Sequence, residues 1–386
     1  MTASVTSASG QAAVLEERGA WPARSPWIRT AVEKLPREWF APERLWRWDG
    51  HRYRAVDRAA DPAGWAAQLY GDPDRPAITQ LTDGRPTSSL SSTGVVVDML
   101  DSLFLEPGHR VLELGTGTGW NAALLASRAG PGHVLSVETD PALAAAAGQR
   151  LQEADAEVPV VVGDGTAGWP AGALYDRVIA TYAVDTVPWS WVAQTRPGGR
   201  IVTPWGHLGH VALTVNKTGS AASGWMQGLG QFMPARSTPA PAPSFTDVRA
   251  GSDSDTECSF TRDLAPLEDP WGLGFHLRVV MPELRFRTAW DEDGLNAWLH
   301  DGSSWAVLAA SGDGRTIATQ GGPGRLVEAL SEAWDQWTAA KAPTVYDYGM
   351  TVADHGATQY VWVHDPSRPV LRQAQRATPE PRPAAG

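Results

Sequence analysis

One segment, VLELGTGTGWNAALLA at residues 111–126, strongly constrains the fold of this chain. It begins with an apolar run that ends at Leu114, continues with glycines at positions 115, 117 and 119, and then becomes helix-forming. Glycines lack a Cβ, so the backbone can turn sharply and approach a ligand closely. The helix that follows offers unpaired N–H groups at its start. The segment therefore predicts a strand, a ligand-binding turn and a helix in direct succession.

Between residues 91 and 236 short apolar runs alternate with helix-like segments, which is the pattern of a parallel sheet with crossover helices. Strands are predicted at 110–114, 133–138, 158–162, 175–181 and 200–204, and helices near 93–104, 120–129, 141–154 and 188–196. This order indicates an α/β, doubly wound, Rossmann-like sheet. Ligands of such sheets bind beyond the carboxyl ends of the strands, beside the point where the strand order reverses.

The flanking sequence predicts further segments. Residues 1–20 are small and polar and are expected to form a flexible leader. The Trp- and Arg-rich stretch that follows predicts an N-terminal helical cap, with a nucleic-acid or peptide surface as the alternative. The Pro- and Ala-rich text STPAPAPSF is typical of a linker. The predicted organisation is a leader at 1–20, a cap at 21–90, the doubly wound domain at 91–236, a linker at 237–245, a smaller C-terminal α+β substrate-recognition domain at 246–370 and a disordered tail at 371–386.

Composition excludes several classes of function. The net charge of −11 argues against nucleic-acid binding, which needs clustered Lys and Arg. The single cysteine, Cys258, excludes an intramolecular disulfide, and the scattered histidines predict no metal site. The N-terminus lacks the pattern of a signal peptide and no run of about 20 apolar residues occurs, so we expect a cytoplasmic protein without membrane contact.

The glycine turn alone is compatible with two cofactors, since the text from Gly117 to Ala122 also fits the dinucleotide pattern Gly-x-Gly-x-x-Ala. Glu113 lies two residues before the first glycine. A carboxylate there suits the cationic aminopropyl part of S-adenosylmethionine and repels a pyrophosphate. Glu113 therefore favours S-adenosylmethionine over NAD.

The next strand ends follow the same order. Glu138 can accept hydrogen bonds from ribose hydroxyls, a feature shared with NAD proteins, and Asp164 between two glycines can reach an adenine amino group. Together with the Pro197-Gly198-Gly199 turn before the fifth strand, these signals are typical of a class I methyltransferase. The predicted cofactor-binding residues are Glu113, Gly115, Thr116, Gly117, Thr118, Gly119, Asn121, Glu138, Thr139, Gly163, Asp164, Gly165 and Thr181.

Four segments resemble the protein-L-isoaspartate O-methyltransferase family: VLELGTGTGWNAALLA, VVVGDGTAGWP at 160–170, YDRVIATYAV at 175–184 and RPGGRIVTPWG at 196–206. The resemblance covers roughly residues 80–236. It implies that Ser91 takes the place of the serine that lines the acceptor carboxylate pocket, although Ser91 to Thr93 could also simply cap a helix. The implied substrate-binding residues are Ser89, Leu90, Ser91, Ser92, Tyr182 and Ala183, with Ser91 as the implied catalytic residue.

The runs PREWFAPERLWRWDG and AITQLTDGRPTSSLSS, with the extra C-terminal domain, look like the methyltransferase subgroup associated with ATP-grasp maturation of ribosomal peptides. That resemblance implies esterification of an Asp on a precursor peptide already cyclised by an ATP-grasp ligase (a graspetide), followed by closure to an aspartimide. Repair of isoaspartate in damaged proteins is the alternative, and a binding protein that only captures peptide or cofactor is a third. A monomer is expected.

Overall fold

A computed structural model describes residues 5–206, 209–235, 243–250 and 254–374. The chain forms two compact units, described separately below. The first comprises Met1–Arg236, Thr351–Gln359 and Ala374–Gly386, and the second comprises Ser237–Met350 and Tyr360–Gln373. Most of the predicted linker, residues 237–242, and the tail from residue 375 onward lie outside the described residues.

The first unit contains seven helices and eleven strands among its described residues up to 235. The helices are α1 (Ala8–Glu17), α2 (Trp27–Lys34), α3 (Pro62–Tyr70), α4 (Thr93–Leu103), α5 (Trp120–Ala129), α6 (Pro141–Glu153) and α7 (Trp189–Ala193). The strands are β1 (Arg44–Trp48), β2 (Tyr53–Asp57), β3 (Ala77–Thr82), β4 (Arg85–Leu90), β5 (Val111–Leu114), β6 (Val134–Glu138), β7 (Val160–Val162), β8 (Tyr175–Ala180), β9 (Thr195–Trp205), β10 (Gly209–Val215) and β11 (Ala221–Leu229).

The main sheet of this unit has the strand order β11-β10-β9-β8-β5-β6-β7. Strands β7, β6, β5, β8 and β9 run parallel, whereas β10 and β11 are antiparallel to their neighbours. All four residues of β5 are buried, which explains the unbroken apolar run apart from Glu113. Because β5 lies between β6 and β8, the strand order reverses beside it. The predicted doubly wound sheet is confirmed, with its switch point at the end of β5.

The Pro197-Gly198-Gly199 turn differs slightly from the prediction, because the structure includes these residues in β9. The chain later returns to the same sheet, in which β17 (Tyr348–Ala353) lies next to β11. Thr351 forms a 2.8 Å hydroxyl–hydroxyl hydrogen bond with Ser223 of β11. The Gln359 side chain accepts a 2.8 Å hydrogen bond from the Val187 backbone N–H.

The predictions for residues 1–90 need two corrections. Residues 8–17 of the expected flexible leader form α1, which Ser7 caps and which buries Leu15. The expected helical cap contains helices but also a four-stranded sheet, β2-β1-β3-β4. Within RLWRW only Leu45 is buried, and β1 is stabilised by pairing with β2 across a hairpin, where Trp48 lies opposite Tyr53.

The second unit is built on an antiparallel sheet. Its described elements, together with strands shared with the first unit, are α8 (Phe245–Ala250), β12 (Ser254–Phe260), α9 (Leu273–Val280), β13 (Arg285–Trp290), β14 (Leu295–His300), β15 (Trp305–Ala310), β16 (Thr316–Gly321), α10 (Leu326–Ala339), β17 (Tyr348–Ala353), β18 (Thr358–Val363) and β19 (Pro369–Ala374). The sheet order is β12-β16-β15-β14-β13. Side chains of α9 and α10 share its apolar core. Because β19 extends to Ala374, the start of the predicted disordered tail is also corrected.

Candidate active site

The loop between β5 and α5 lies at the switch point of the main sheet. Gly115 has φ +94°, a conformation that L side chains rarely adopt, and a Cβ there would lie 2.5 Å from the Thr181 hydroxyl oxygen. Thr181 in turn donates a 2.6 Å hydrogen bond to the Gly115 carbonyl. The end of β5 is therefore held against the end of β8 by a contact that only glycine permits.

Glu113 is completely buried, so its carboxylate is not open to solvent. It accepts hydrogen bonds from Asn121 Nδ2 at 2.7 Å and from Ser136 Oγ at 2.5 Å. Burial raises the pKa of Glu113 to about 7; the hydrogen bonds from Ser136 and Asn121 lower it, and the charge of Glu138 raises it. Glu113 thus fixes the first turn of α5 and the neighbouring strand from beneath the loop.

Two threonines of the loop, Thr116 and Thr118, are also buried. The Thr116 hydroxyl shares a 2.6 Å hydrogen bond with Ser136 Oγ, so a single serine of β6 links the loop to the Glu113 carboxylate. Glu113 and Ser136 are register partners on neighbouring parallel strands. Burial holds this hydroxyl–carboxylate network in one arrangement.

Glu138, at the end of β6, closes the other side of the loop. Its carboxylate accepts a 2.9 Å hydrogen bond from the Gly117 N–H and a 3.1 Å hydrogen bond from the Asp140 N–H. Thr139 between them is exposed. Gln80 of β3 donates a 3.2 Å hydrogen bond to Asp140, which caps α6. The β3–β4 hairpin is therefore tied to the strand end at which ribose was predicted to bind.

The end of β7 lies beside an aromatic side chain. Gly163 donates its N–H to the Glu138 carbonyl at 3.0 Å, and Asp164 is exposed and accepts the Thr166 N–H at 2.9 Å. A Cβ on Gly165 would lie 2.4 Å from the Tyr182 hydroxyl, and one on Gly115 would lie 3.0 Å from the Tyr182 ring. Burial, with the charges of Asp164 and Glu138, raises the pKa of Tyr182. The structure thus brings the two glycine turns together around one tyrosine.

Ala183, the last residue predicted at this strand end, is buried. Its backbone N–H donates to the Met233 carbonyl at 2.8 Å, and it forms an isolated parallel bridge with Pro234. The Ala183 side chain is therefore closed off from solvent, whereas Tyr182 is half-buried.

The residues of the predicted acceptor segment, 89–92, also differ in their exposure to solvent. Ser89 and Ser91 are half-buried, whereas Leu90 and Ser92 are buried and Leu90 belongs to the hydrophobic core. Ser92 is the N-cap residue of α4, but its side chain makes no capping hydrogen bond. The Ser88 hydroxyl is buried without a hydrogen-bond partner among the described residues, and it would lie 3.9 Å from a Cβ on Gly117. The segment thus lies close to the glycine loop.

Arg37 contacts the backbone of this acceptor segment. It is only 2% exposed, and its Nη1 donates to the Ser91 carbonyl at 2.7 Å and to the Thr93 hydroxyl at 2.8 Å. Its guanidinium stands 5.1 Å from the ring centre of Trp120, the first residue of α5. Burial lowers the pKa of Arg37 to about 10.

Sequence reasoning missed Ser136, Gln80 and Arg37. A polar residue in the middle of the apolar strand VLSVE was a signal for Ser136. The arginine in PREWF is one of several in a charged stretch, so nothing in the sequence separated it from exposed neighbours. Only the fold shows which arginine is buried.

The residues at the strand ends fit S-adenosylmethionine. The glycine cradle at Gly115 would be filled by any side chain. An acidic side chain ends β6 and another lies just after β7, which suits ribose and adenine groups. Among the described residues, no group of three His, Cys, Asp or Glu side chains could hold a metal ion. No helix in the described part of the chain is long and apolar enough to cross a membrane.

Comparison with known proteins agrees with this geometry. The family model described as protein-L-isoaspartate(D-aspartate) O-methyltransferase matches residues 73–234. A protein-L-isoaspartate O-methyltransferase of Hyperthermus butylicus is 32% identical over 204 residues, which are 50% of this chain and 73% of that protein. One from Anaeromyxobacter dehalogenans is 47% identical over 155 residues, which are 39% of this chain and 70% of that protein.

A solved structure of a protein-L-isoaspartate O-methyltransferase is similar in fold. It has a TM-score of 0.51 and 18% sequence identity, and the match covers 93% of this chain and 100% of that chain. Such low identity bears on the fold alone.

Proposed function

Because the chain belongs to the protein-L-isoaspartate O-methyltransferase family, whose members are S-adenosylmethionine-dependent carboxyl O-methyltransferases, we propose that it esterifies an Asp side chain of a ribosomally made, cyclised graspetide-type peptide. The ester then closes to an aspartimide. The cofactor assignment rests on the match to this family over residues 73–234, and in the structure the Glu138 carboxylate accepts a hydrogen bond from the Gly117 N–H at the switch point.

The proposed cofactor residues are those of the three strand ends. Gly115 and Gly117 leave room for the methionine part, Glu138 accepts from the ribose, and Asp164 accepts from the adenine amino group. Glu113 acts indirectly, because its buried carboxylate holds Asn121 and Ser136 in place. Bound S-adenosylmethionine supplies an electrophilic methyl group.

The acceptor requires positioning rather than a strong base. A peptide Asp, with a reference pKa near 3.9, is ionised at neutral pH. Ser91 would donate a hydrogen bond to one carboxylate oxygen and leave the other free to attack the methyl carbon. Tyr182 and the β3–β4 hairpin would exclude water, which favours a reaction in which opposite charges cancel.

Segments outside the family match support a peptide substrate. A cleft of about 550 Å³ lies between residues 38–58 and the C-terminal half of α6, and its lining includes Glu38, Trp39, Arg58, Gln149 and Arg150. Trp39 is exposed, and an aromatic side chain offers a large contact area at low entropy cost. We propose that this cleft and the second unit bind the cyclised precursor peptide.

The test is an assay with the precursor peptide after cyclisation by an ATP-grasp ligase. Incubation with the chain and S-adenosylmethionine should add the mass of one methylene group. Loss of methanol should follow, which leaves a product lighter than the starting peptide by one water. Without either mass change on cyclised precursors the proposal fails.

Repair of isoaspartyl proteins is the second candidate, favoured by the match to the family core. An unstructured L-isoaspartyl peptide tests it in the same assay. Turnover equal to that of the cyclised peptide would favour repair, whereas we expect a strong preference for the cyclised peptide. We further propose a cytoplasmic monomer that binds no nucleic acid and no membrane.

A further inference from the structure

Arg37 carries a buried charge that has no counter-ion among the described residues. Its three hydrogen-bond acceptors are the carbonyls of Ser91 and Leu90 and the hydroxyl of Thr93, all of them neutral. Its Nε has no partner within the described residues. Burying an uncompensated charge is expensive, and a neutral donor would satisfy the same oxygens at lower cost.

Neighbouring side chains hold the guanidinium in one place. The Thr93 hydroxyl donates a 2.6 Å hydrogen bond to the side-chain oxygen of Gln11 in α1, and the Gln11 amide donates to the Tyr70 carbonyl at 3.1 Å. Trp120 donates its indole N–H to the Leu35 carbonyl at 2.8 Å. Three segments of the N-terminal region thus fix a positive charge between the acceptor segment and the start of α5.

The surroundings of the Arg37 guanidinium indicate what it would interact with, which is an acceptor carboxylate bound beside Ser91. Ser91 turns its carbonyl toward Arg37, while its side chain is only half-buried. Bringing an acceptor carboxylate out of water beside Ser91 raises the pKa of that carboxylate, and a protonated acid is no longer a nucleophile. A fixed positive charge behind the segment opposes this effect, since charges interact strongly where water is excluded.

We propose that Arg37 is a positioning residue that holds the Ser91 segment and keeps the bound acceptor carboxylate ionised. The inference rests on the proposed function, because it requires an anionic acceptor at Ser91. Arg37 lies outside the family match, which begins at residue 73. It is therefore a contribution of the N-terminal region to the carboxylate site.

The test compares Arg37→Gln with Arg37→Lys on whichever of the two peptides described above the wild-type chain methylates. The pH dependence of kcat reports the pKa of the bound acceptor. We expect Arg37→Gln to move the acid limb of kcat upward by about one pH unit, so that kcat falls roughly tenfold at pH values well below both limbs. Arg37→Lys keeps the charge, so its acid limb should stay at the wild-type pH even if kcat falls.

Arg47→Gln, at an exposed position on β1, is the matched control and should leave the profile unchanged. Calorimetric affinity for S-adenosylhomocysteine should be the same in all variants.

A wild-type chain that methylates neither peptide refutes the proposed function and this inference with it. A wild-type chain that is active, with Arg37→Gln showing an unshifted limb, refutes the role of Arg37 alone. If Arg37→Gln does not fold, the acid limb of Arg37→Lys decides the role of Arg37. A shifted acid limb refutes that role, and an unshifted acid limb supports it.

Discussion

Glu113 is a buried carboxylate whose pKa of about 7 lies above its ordinary value of 4.5, chiefly because of burial. The folded chain therefore binds more protons than the unfolded chain between these two values. The stability that this group contributes is present below pH about 4.5 and is lost as pH rises through about 7. The loss is about 3 kcal/mol at most.

Glu113→Gln should therefore raise the free energy of unfolding at pH 8, because the amide fits the same site without a charge. The gain should shrink toward pH 5, where the carboxyl is already protonated. Urea unfolding of the ligand-free chain at both pH values measures this. Glu157→Gln, at an exposed position, is the control and should change neither value. A gain that is the same at both pH values would contradict the assignment of a buried charge.

A substitution at Gly115 tests whether the glycine turn after β5 forms the cofactor site. Gly115→Ala would force a Cβ to 2.5 Å from the Thr181 hydroxyl at a φ of +94°, so we expect calorimetric affinity for S-adenosylhomocysteine to fall by at least about tenfold. Gly132→Ala has the same backbone problem at φ +71°, but no atom lies within 4 Å of its Cβ. It should lose some stability and keep its affinity. Equal affinity losses in the two variants would show that strain, and not the cradle, is responsible.

Helix α1 is the element that departs most from its prediction. Gln11 is buried and links Thr93 to the Tyr70 carbonyl. Gln11→Ala should lower the free energy of unfolding by about 1–3 kcal/mol, because it leaves buried polar groups without partners. Glu17→Ala, on an exposed position of the same helix, should have little effect. Denaturant unfolding that shows no difference between the two would restore the view of a dispensable leader.

The elements around the switch point could be predicted because their signals are local. The run VLEL and the glycines after it each specify structure within a few residues. The strands of the N-terminal sheet were harder to predict. RLWRW shows no regular alternation of buried and exposed residues, and β1 depends on pairing with Tyr53–Asp57. The same limit applies to Arg37, whose burial depends on partners more than 50 residues away.

At the scale of the whole molecule, the family match does not define a folding unit. Thr351–Gln359 belongs to the first unit, and Gln359 supplies the acceptor for the buried Val187 N–H. A chain ending at residue 236 would expose β11, including the buried Met226, as a free sheet edge. We expect this truncated chain to aggregate and to lose affinity for S-adenosylhomocysteine, as measured by size-exclusion chromatography and calorimetry. A stable, cofactor-binding 1–236 fragment would show that the returning segment is dispensable.

The proposed reaction is methyl transfer to a carboxylate held at Ser91, beside the glycine loop. The most direct measurement is mass spectrometry of the cyclised precursor peptide after incubation with S-adenosylmethionine that carries a deuterated methyl group, using the wild-type chain and Ser91→Ala. We predict a labelled ester on one Asp, followed by loss of labelled methanol, and a strong reduction with Ser91→Ala. Label on nitrogen or carbon, or an ester formed equally well by Ser91→Ala, would contradict it.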